Sequence, residues 1–309
     1  MKRLVRFPAR AGALRLAFVL CATALAIVGG CKKKPPAEPA GSGGAPLTVQ
    51  TYTARDEGGA ASSHLISGEN EAILVDAQLR RVDAENVVET IRATGKILRL
   101  VFVTHPHADR YFGASVIRQT FPDVPVLATP AVAAAIRRTR AAEEARLRTE
   151  LPGALPETIM IPEPYDEETL HLEGRELRIQ PLGAGESPNS AVLYVPGDKA
   201  LIAGDLVSNG VHLWLADGQV NGWLQDLQAV LELGPVETIY PGHGAPGGKE
   251  LLAQTDRYIR LFAMVTDRSR DSREALREME TLFPTHRMPS FLQRSVEARF
   301  ARAPPPPSR

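Results

Sequence analysis

Residues 99–110 read RLVFVTHPHADR and join a strand-like run to a cluster of polar residues. The first five residues are mostly aliphatic or aromatic, as in buried strands. His105, His107 and Asp109 follow directly, on the loop where the strand is expected to end. Imidazole and carboxylate groups are ligands of borderline divalent metals, and such loops often carry functional groups. The sequence therefore predicts a metal site at the end of this strand.

Three later segments carry polar residues in similar settings. Gly185-Glu186-Ser187 lies in a loop, Asp205 is predicted to end a hydrophobic strand at 200–204, and His243 follows a strand at 238–240 within the glycine-rich turn YPGHG. Polar groups at strand ends are expected to meet where the strands share an edge. These segments are therefore candidates to complete the site.

Short strands alternate with amphipathic helices along the chain. We predict strands at 49–54, 72–76, 99–103, 124–128, 168–172, 176–182, 191–195, 200–204 and 238–240. Helices are predicted at 82–94, 131–151 and near 221–233, and the chain is expected to be mainly helical from 249 to 301 before a proline-rich tail. Strands and helices mixed in two similar halves favour an α/β fold with helices outside a pair of sheets.

The charge distribution excludes one class of partner. The 309 residues contain 36 Lys and Arg and 36 Asp and Glu, and they are 44% hydrophobic, as in an ordinary globular protein. Eight of the basic residues and none of the acidic ones lie in residues 1–34, which leaves 28 basic against 36 acidic residues beyond them. Because nucleic-acid binding depends on neutralising phosphates with Lys and Arg, we expect no nucleic-acid partner.

The N-terminal segment has the features of a targeting signal. A basic start is followed at 16–28 by the 13-residue apolar run LAFVLCATALAIV. That run is too short to cross a bilayer of about 30 Å, but it is typical of a signal peptide. Its ending, VGGC, resembles the bacterial lipobox, which implies a lipid on Cys31; a plain secretory peptide cut nearby is the alternative. Residues 32–46 are a Pro/Gly-rich tether.

Two expectations follow from this segment. The domain is expected outside the cytoplasm, anchored in a bacterial cell envelope, and Lys32 after the lipidated cysteine resembles outer-membrane sorting. The only two cysteines, Cys21 and Cys31, both lie in the signal region. The remaining chain therefore has no disulfide and no cysteine ligand or nucleophile.

Over residues 48–260 the sequence resembles the metallo-β-lactamase-fold hydrolase superfamily. The resemblance is carried by SHLISGENEAILVDA, THPHADR, GAGESPNSAVLYVP, LIAGDL and YPGHG, which occur in the order of the family. It implies an αββα sandwich with C-terminal helices and a metal site at one edge between the sheets. The expected organisation is a signal peptide at 1–30, the tether at 31–46, the metallo-β-lactamase-fold domain at 47–270, and C-terminal helices with a tail at 271–309.

The resemblance also implies a ligand set. His105 and His107 match ligands of the first metal, Asp109 and His243 match ligands of the second, and Asp205 matches the carboxylate that bridges the two. Two zinc ions are therefore expected. The sequence departs from the family pattern at two positions, because Arg110 stands where a histidine is usual and Glu186 stands where the first site has its third histidine.

Both departures change the expected metal chemistry. More oxygen ligands shift the preference from Zn²⁺ toward harder ions such as Mn²⁺ or Fe²⁺. Glu186 is either a ligand or a loop carboxylate facing solvent. Arg110 can pair with Asp109 or Asp205 and leave a single ion. His105, His107 and Glu186 would then form the set of two histidines and one carboxylate that is typical of non-haem Fe(II) oxygenases.

The expected activity is hydrolysis of a small-molecule ester, lactone, amide or thioester by metal-bound hydroxide, with Asp109 orienting the nucleophile. The loop at 207–219 is expected to set specificity. Its His212 either contacts substrate, donates a proton or completes the second site, or it is a packing residue. His64, His171 and His286 are interpreted as structural or surface residues. The alternatives are the mononuclear iron oxygenase and an inactive binding lipoprotein, and the oligomeric state is left open.

Overall fold

The computed structural model describes residues 45–217 and 219–302. The predicted signal peptide, the lipidated Cys31, nearly all of the tether and the proline-rich tail lie outside the described residues. Within them, no helix is both long enough and apolar enough to cross a membrane.

The described chain contains eleven strands and eight α-helices. The strands are β1 Thr48–Thr53, β2 Ser62–Ser67, β3 Glu71–Val75, β4 Ile97–Val103, β5 Val126–Ala128, β6 Glu163–Pro164, β7 Thr169–Leu172, β8 Arg175–Leu182, β9 Ser190–Val195, β10 Ala200–Ser208 and β11 Thr238–His243. The helices are α1 Arg81–Thr94, α2 Ala108–Tyr111, α3 Ala114–Thr120, α4 Pro130–Glu150, α5 Val220–Leu231, α6 Glu250–Arg268, α7 Ser272–Leu282 and α8 Pro289–Arg302.

The strands form two sheets. The first has the order β1-β2-β3-β4-β5-β6, antiparallel from β1 to β3 and parallel from β3 to β6. The second has the order β11-β10-β9-β8-β7, with only β10 and β11 parallel. Parallel neighbours end at the same edge of a sheet. In the second sheet, the ends of β10 and β11 therefore lie side by side, and in the first sheet the loop after β4 lies beside the end of β3. Polar groups can converge at these strand ends.

The alternation of side chains along each strand creates the layers. In β3, Ala72 and Leu74 pack into a cluster with α1, α3 and α4, whereas Ile73 and Val75 pack into a cluster between the two sheets. Since successive strand residues point to opposite faces, a continuous apolar run is buried on both sides. Strand β10 does the same between the inner cluster and the outer cluster with α5 to α8. The predicted αββα sandwich is confirmed.

The boundaries differ from the sequence prediction at informative places. Strand β2 was not predicted, because its SSHLIS sequence lacks a clear apolar alternation. Strand β10 continues beyond Gly204 to Ser208 through register shifts, and β11 includes His243. Asp205 and His243 are therefore part of irregular strand ends rather than of the loops that follow. Helices α7 and α8 pack into the same apolar cluster as β10, α5 and α6.

His64 links the two sheets through buried hydrogen bonds. Its ring is buried on β2, with Nδ1 3.0 Å from Thr51 Oγ1 and Nε2 3.0 Å from the carbonyl oxygen of Pro241 on β11. A carbonyl only accepts, so Nε2 carries the proton and Nδ1 accepts from the threonine. Burial, assisted by the neighbouring Arg110 charge and opposed by the hydrogen bond to Pro241, lowers the pKa of His64 to about 4.

This shift predicts a loss of stability in mild acid. Between pH 6.5 and 4 the unfolded chain binds more protons than the folded one, so the free energy of unfolding decreases as the pH falls, by up to about 3 kcal/mol from this group. Urea denaturation of the metal-free protein at pH 7.5 and 4.5 measures the difference. His64→Asn should reduce the dependence, whereas replacement of the exposed His171 by asparagine should not. Equal pH dependence in His64→Asn and the parent protein would contradict the assignment.

Candidate metal centre

The predicted ligands meet at one edge of the sandwich. The loop after β4 carries His105 and His107, the loop between β8 and β9 carries Glu186, and the last residues of β10 and β11 carry Asp205 and His243. The approach of β11 to β10 requires a glycine, because a Cβ atom at Gly242 would overlap Asp205 Oδ1 and the β10 backbone.

Four side chains form what we term the first donor group: His105, His107, Glu186 and Asp205. Their ligand atoms all lie within 4.8 Å of one another. Nε2 of His105 is 3.3 Å from Asp205 Oδ2 and 3.6 Å from Glu186 Oε2, and Nδ1 of His107 is 2.9 Å from Glu186 Oε1. Two imidazoles and two carboxylates thus converge on one point, as ligands of a divalent ion do.

Three donor atoms of this group, on Glu186 and His105, are buried and lack a hydrogen-bond partner in the described chain. Glu186 is 3% exposed and His105 is 1% exposed. Neither Glu186 oxygen, nor Nε2 of His105, has a partner in hydrogen-bond geometry among the described residues, although other ligand atoms lie close by. Buried polar atoms are normally satisfied, so unpartnered ones that face each other indicate a missing cation. The residues present fit a metal ion.

A buried chain of hydrogen bonds orients His105. The Thr104 hydroxyl donates to Asp76, with Oγ1 2.8 Å from Oδ2, and lies 3.0 Å from Nδ1 of His105. Because the hydroxyl hydrogen is used in the hydrogen bond to Asp76, the hydroxyl oxygen accepts a hydrogen bond from Nδ1–H of His105. Nε2 of His105 therefore keeps its lone pair and directs it into the first donor group.

Asp217 has the corresponding role for His107. Its Oδ2 lies 3.1 Å from Nε2 of His107 and accepts a hydrogen bond from the indole Nε1 of Trp214, also at 3.1 Å. A proton on Nε2 leaves the lone pair of Nδ1 facing Glu186. Burial disfavours the charged form of His107, but Glu186 and Asp217 together raise its pKa well above the usual value. Without a metal ion, a proton partly neutralises the carboxylates.

Loss of this contact should weaken metal binding. We expect Asp217→Ala to lower the affinity for Zn²⁺ by about 10–100-fold, because His107 loses the acceptor that holds its ring and tautomer. Asp217→Asn retains an acceptor oxygen and should stay much closer to the parent protein. Competition with a chromogenic chelator measures both affinities. Identical affinities for the alanine and asparagine variants would contradict this role.

A second donor group, Asp109, Asp205 and His243, surrounds the guanidinium of Arg110. Nη2 of Arg110 lies 2.5 Å from Asp109 Oδ2, 3.2 Å from Asp205 Oδ1 and 3.0 Å from His243 Nε2. Burial opposes ionisation of both aspartates, but Arg110 outweighs it and lowers both pKa values, that of Asp205 strongly. Both aspartates are therefore carboxylates beside a fixed positive charge.

The loop that carries Glu186 is held against α5. Oδ1 of Asp226 accepts a hydrogen bond from the backbone N–H of Gly183 at 2.9 Å. A side chain at Gly222 on α5 would overlap the carbonyl of Ala184, so the helix touches the loop backbone directly. This contact turns Glu186 into the interior, away from the solvent that a surface loop carboxylate would face.

A pocket of about 320 Å³ opens above the centre. Its apolar walls come from three helices, α2, α4 and α8, and from two loops, and the aromatic rings of Trp214 and Phe291 meet edge to face at 5.5 Å. Phe291, on α8, also packs at 5.5 Å against the ring of His243. The polar lining includes Asp109, Asp205 and Asp217. A small molecule in this pocket would contact the centre directly.

His212 lies elsewhere. Its Nδ1 is 2.8 Å from the hydroxyl of Tyr258 on α6, and its ring is 5.3 Å from that of His286. Burial, and next the charge of His286, lower the pKa of His212 to about 4. Of the residues predicted for the site, the structure gathers His105, His107, Asp109, Glu186, Asp205 and His243. His212 contributes to neither donor group and does not line the pocket.

The sequence model of the metallo-beta-lactamase superfamily matches residues 56–243, which include every residue of both donor groups. The chain belongs to this superfamily. Members of the metallo-beta-lactamase superfamily are typically hydrolases, and the predicted fold and family are thereby confirmed. The matched residues end at His243, so α6 to α8 lie beyond them.

Individual relatives are distant. A type 2 metallo-beta-lactamase from Bacteroides fragilis is 26% identical over 107 residues, which are 33% of this chain and 43% of that protein. The chain thus matches less than half the length of this curated relative. The structure of a metallo-beta-lactamase from Pontibacter korlensis superposes with a TM-score of 0.52 at 21% identity, over 70% of this chain and 99% of that one. The structure of VMB-1 superposes with a TM-score of 0.52 at 20% identity, over 70% of this chain and 98% of that one.

Four residues of this metallo-beta-lactamase-fold centre were missed by the sequence prediction: Asp76, Thr104, Asp217 and Phe291. The first two carried a usable signal, because Asp76 directly follows β3 and Thr104 follows β4 at the same sheet edge. No sequence signal pointed to Asp217 or Phe291. They reach the centre from a loop and from α8, which are distant from the histidines in sequence.

Proposed function

We propose that this protein is a metal-dependent hydrolase whose ion is held by His105, His107, Glu186 and Asp205. The observation that supports this most directly is the set of buried, unpartnered donor atoms in the first donor group. Membership of a superfamily of hydrolases supports the reaction type. When bound, a divalent ion supplies Lewis-acid polarisation of a carbonyl and lowers the pKa of a coordinated water to about 7.

The residues of the chain orient the reactants. Asp109 lines the pocket, and its Oδ2 contacts Arg110 at 2.5 Å. The lowered pKa keeps this carboxylate ionised, so that it can accept a hydrogen bond from a water molecule and hold it toward the substrate. Trp214 and Phe291 provide the apolar contact area that excludes bulk solvent beside the reacting group.

The pocket favours substrates without a negative charge. Three of its carboxylates, Asp109, Asp205 and Asp217, lie at or beside the donor groups, and Glu143 on α4 adds a fourth. Apart from its histidines, Arg146 is the one basic side chain in the described lining, and it already pairs with Glu150 at 2.8 Å. Arg110 and a bound divalent ion would balance Asp109, Asp205 and Glu186, so the negative charges left beside a substrate are those of Asp217 and Glu143. An anionic group near the aromatic walls would meet these two carboxylates, so we infer a neutral or cationic ester, lactone, amide or thioester.

Matched nitrophenyl esters test this preference. We expect a neutral butyrate ester to be hydrolysed about tenfold faster, in kcat/KM, than the succinate monoester, which carries a carboxylate, because like charges at short range cost about 1 kcal/mol or more. Glu143→Gln should reduce the ratio, and Glu89→Gln on the exposed surface of α1 should not. A faster reaction of the anionic ester would contradict the inference.

The proposed function itself is tested by metal analysis and a substrate panel. The full chain is purified without chelator, and its zinc, manganese and iron are measured beside hydrolysis of ester, lactone, amide and thioester substrates. We expect bound metal and a hydrolysis that a chelator abolishes and added metal restores. A folded protein that binds no ion would instead support the binding lipoprotein.

One observation favours a second candidate. His105, His107 and Glu186 are held together around a single point, and this donor set is typical of Fe(II) oxygenases. Asp205, 3.3 Å from Nε2 of His105, adds a fourth protein donor and leaves fewer open positions for oxygen and substrate, so hydrolysis is the better supported reaction. One iron ion per chain with substrate-dependent oxygen consumption would reverse this order.

We also propose that the protein acts outside the cytoplasm, held to a bacterial envelope by a lipid on Cys31. The support is the sequence of residues 1–34 alone, with its basic start, apolar run and VGGC ending. Metabolic labelling with a palmitate analogue in a bacterial host, with Cys31→Ser as the comparison, tests the anchor.

A further inference from the structure

The two donor groups differ in what occupies their centre. In the first group, buried atoms of Glu186 and His105 face each other without hydrogen-bond partners. In the second, the guanidinium of Arg110 already contacts all three side chains, at 2.5 to 3.2 Å from its Nη2. The family resemblance implies a metal ion in each group, but the second group already surrounds the cationic side chain of Arg110.

Arg110 cannot leave this position easily. Its side chain is 0% exposed, and Nη1 donates a 3.1 Å hydrogen bond to the carbonyl oxygen of Gly242 on β11. Nη1 also lies 3.8 Å from Asp76, beneath the loop. Arginine stays protonated in proteins, so the group is a permanent positive charge. Contacts to backbone and carboxylate oxygens at both terminal nitrogens thus hold the guanidinium in place.

The tautomer of His243 leaves the lone pair of Nε2 facing Arg110. Nδ1 of His243 lies 2.8 Å from the carbonyl oxygen of Gly59, which only accepts, so Nδ1 carries the proton. Nε2 then has only a lone pair, which lies 3.1 Å from Asp205 Oδ2 and accepts from Nη2 of Arg110 at 3.0 Å. The lone pair that would bind a metal is therefore used by the guanidinium.

We propose that Arg110 is a built-in substitute for the second metal ion, and that the centre binds one divalent ion, in the first donor group. This inference rests on the proposed metal-binding function and adds its stoichiometry. The formal charge of the centre would then be zero, because the carboxylates of Asp109, Asp205 and Glu186 are balanced by one guanidinium and one divalent ion. A second ion at the usual ligand distance of about 2.0–2.2 Å from Asp109 Oδ2 and His243 Nε2 would lie within about 3 Å of Nη2, so two positive charges would be in contact.

Equilibrium metal titration of the full chain tests the proposal. After dialysis against buffered Zn²⁺, elemental analysis should give one ion per chain for the parent protein and two for Arg110→His, which restores an imidazole and removes the charge. Cobalt substitution, followed by the d–d absorption spectrum, gives an independent count. Arg175→His is the matched control: Arg175 is also a buried arginine, bonded to Asp198 and the carbonyl of Ala45, and its variant should bind one ion.

A second pair of variants keeps the test decisive if Arg110→His does not fold. Asp109→Ala should still bind one ion with an affinity within about threefold of the parent protein, whereas Glu186→Gln should lose at least about tenfold. Two ions in the parent protein would overturn the proposal while leaving the hydrolase intact. One ion in both the parent and Arg110→His would show that Arg110 is not what excludes the second. No ion in a folded parent protein would instead defeat the proposed function.

Discussion

Replacement of His105 by alanine is expected to remove the bound ion and to lower kcat/KM by about a thousandfold or more, since Lewis-acid activation is worth several kcal/mol. His105 is buried, and its Nε2 lies within 3.6 Å of both carboxylates of the first donor group. Without the imidazole, Glu186 and Asp205 face each other with one nitrogen ligand instead of two. The variant should therefore bind metal weakly and lose activity in proportion.

The measurement combines metal content with steady-state kinetics on the best substrate of the panel. His171, exposed on β7, provides the control, and His171→Ala should retain the ion and the rate. Excess zinc should restore little activity, because the lost ligand also sets the geometry. A His105→Ala protein with unchanged metal content and rate would contradict the assignment of the centre.

The second large effect concerns stability. Arg110→Ala should lower the free energy of unfolding of the metal-free protein by about 3–5 kcal/mol, because it leaves buried carboxylates without their counter-charge. The side chain is 0% exposed and lies within 3.8 Å of three aspartates, namely Asp76, Asp109 and Asp205. Among the described residues, few other side chains combine such burial with so much opposite charge.

Urea denaturation at pH 7.5 measures this change. The comparison is Arg92→Ala on α1, whose pair with Glu89 is largely exposed and should be worth no more than about 1 kcal/mol. Excess zinc should stabilise Arg110→Ala more than the parent protein, because the freed second donor group becomes a binding site. If Arg110→Ala were as stable as Arg92→Ala, the guanidinium would not be neutralising buried carboxylates.

The architecture was predictable from local patterns. Runs such as 99–103 and 200–204 carry apolar side chains on both faces of the strand. A strand that is buried on both faces needs a packed layer of helices or of a second sheet on each side. Several such runs separated by amphipathic helices predict helices outside a pair of sheets, and the family resemblance implies the αββα order of these layers. The irregular end of β10 was not predictable, because its bulged course around Gly204 depends on the approach of β11.

Ligand identity was available in the same way. Within THPHADR, the spacing of the imidazoles and the carboxylate places them on one loop, and each later ligand lies at or near the end of a strand or in a short loop. Residue type is enough to nominate such donors, because few side chains can bind a divalent ion. Thus the six donors that the structure gathers had all been proposed from the sequence.

The use of those donors is decided only in three dimensions. Whether Arg110 points to solvent, pairs with one aspartate or replaces an ion depends on distances of a few ångströms among residues from three distant parts of the chain. The same holds for Asp217 and Phe291, which reach the centre from loop and helix positions without any motif. Electrostatic energy changes steeply with separation and burial, and neither quantity is a property of local sequence. Motif residues and the family resemblance therefore predict the fold and nominate its ligands, while packing decides which contacts those ligands make and the shape of the pocket.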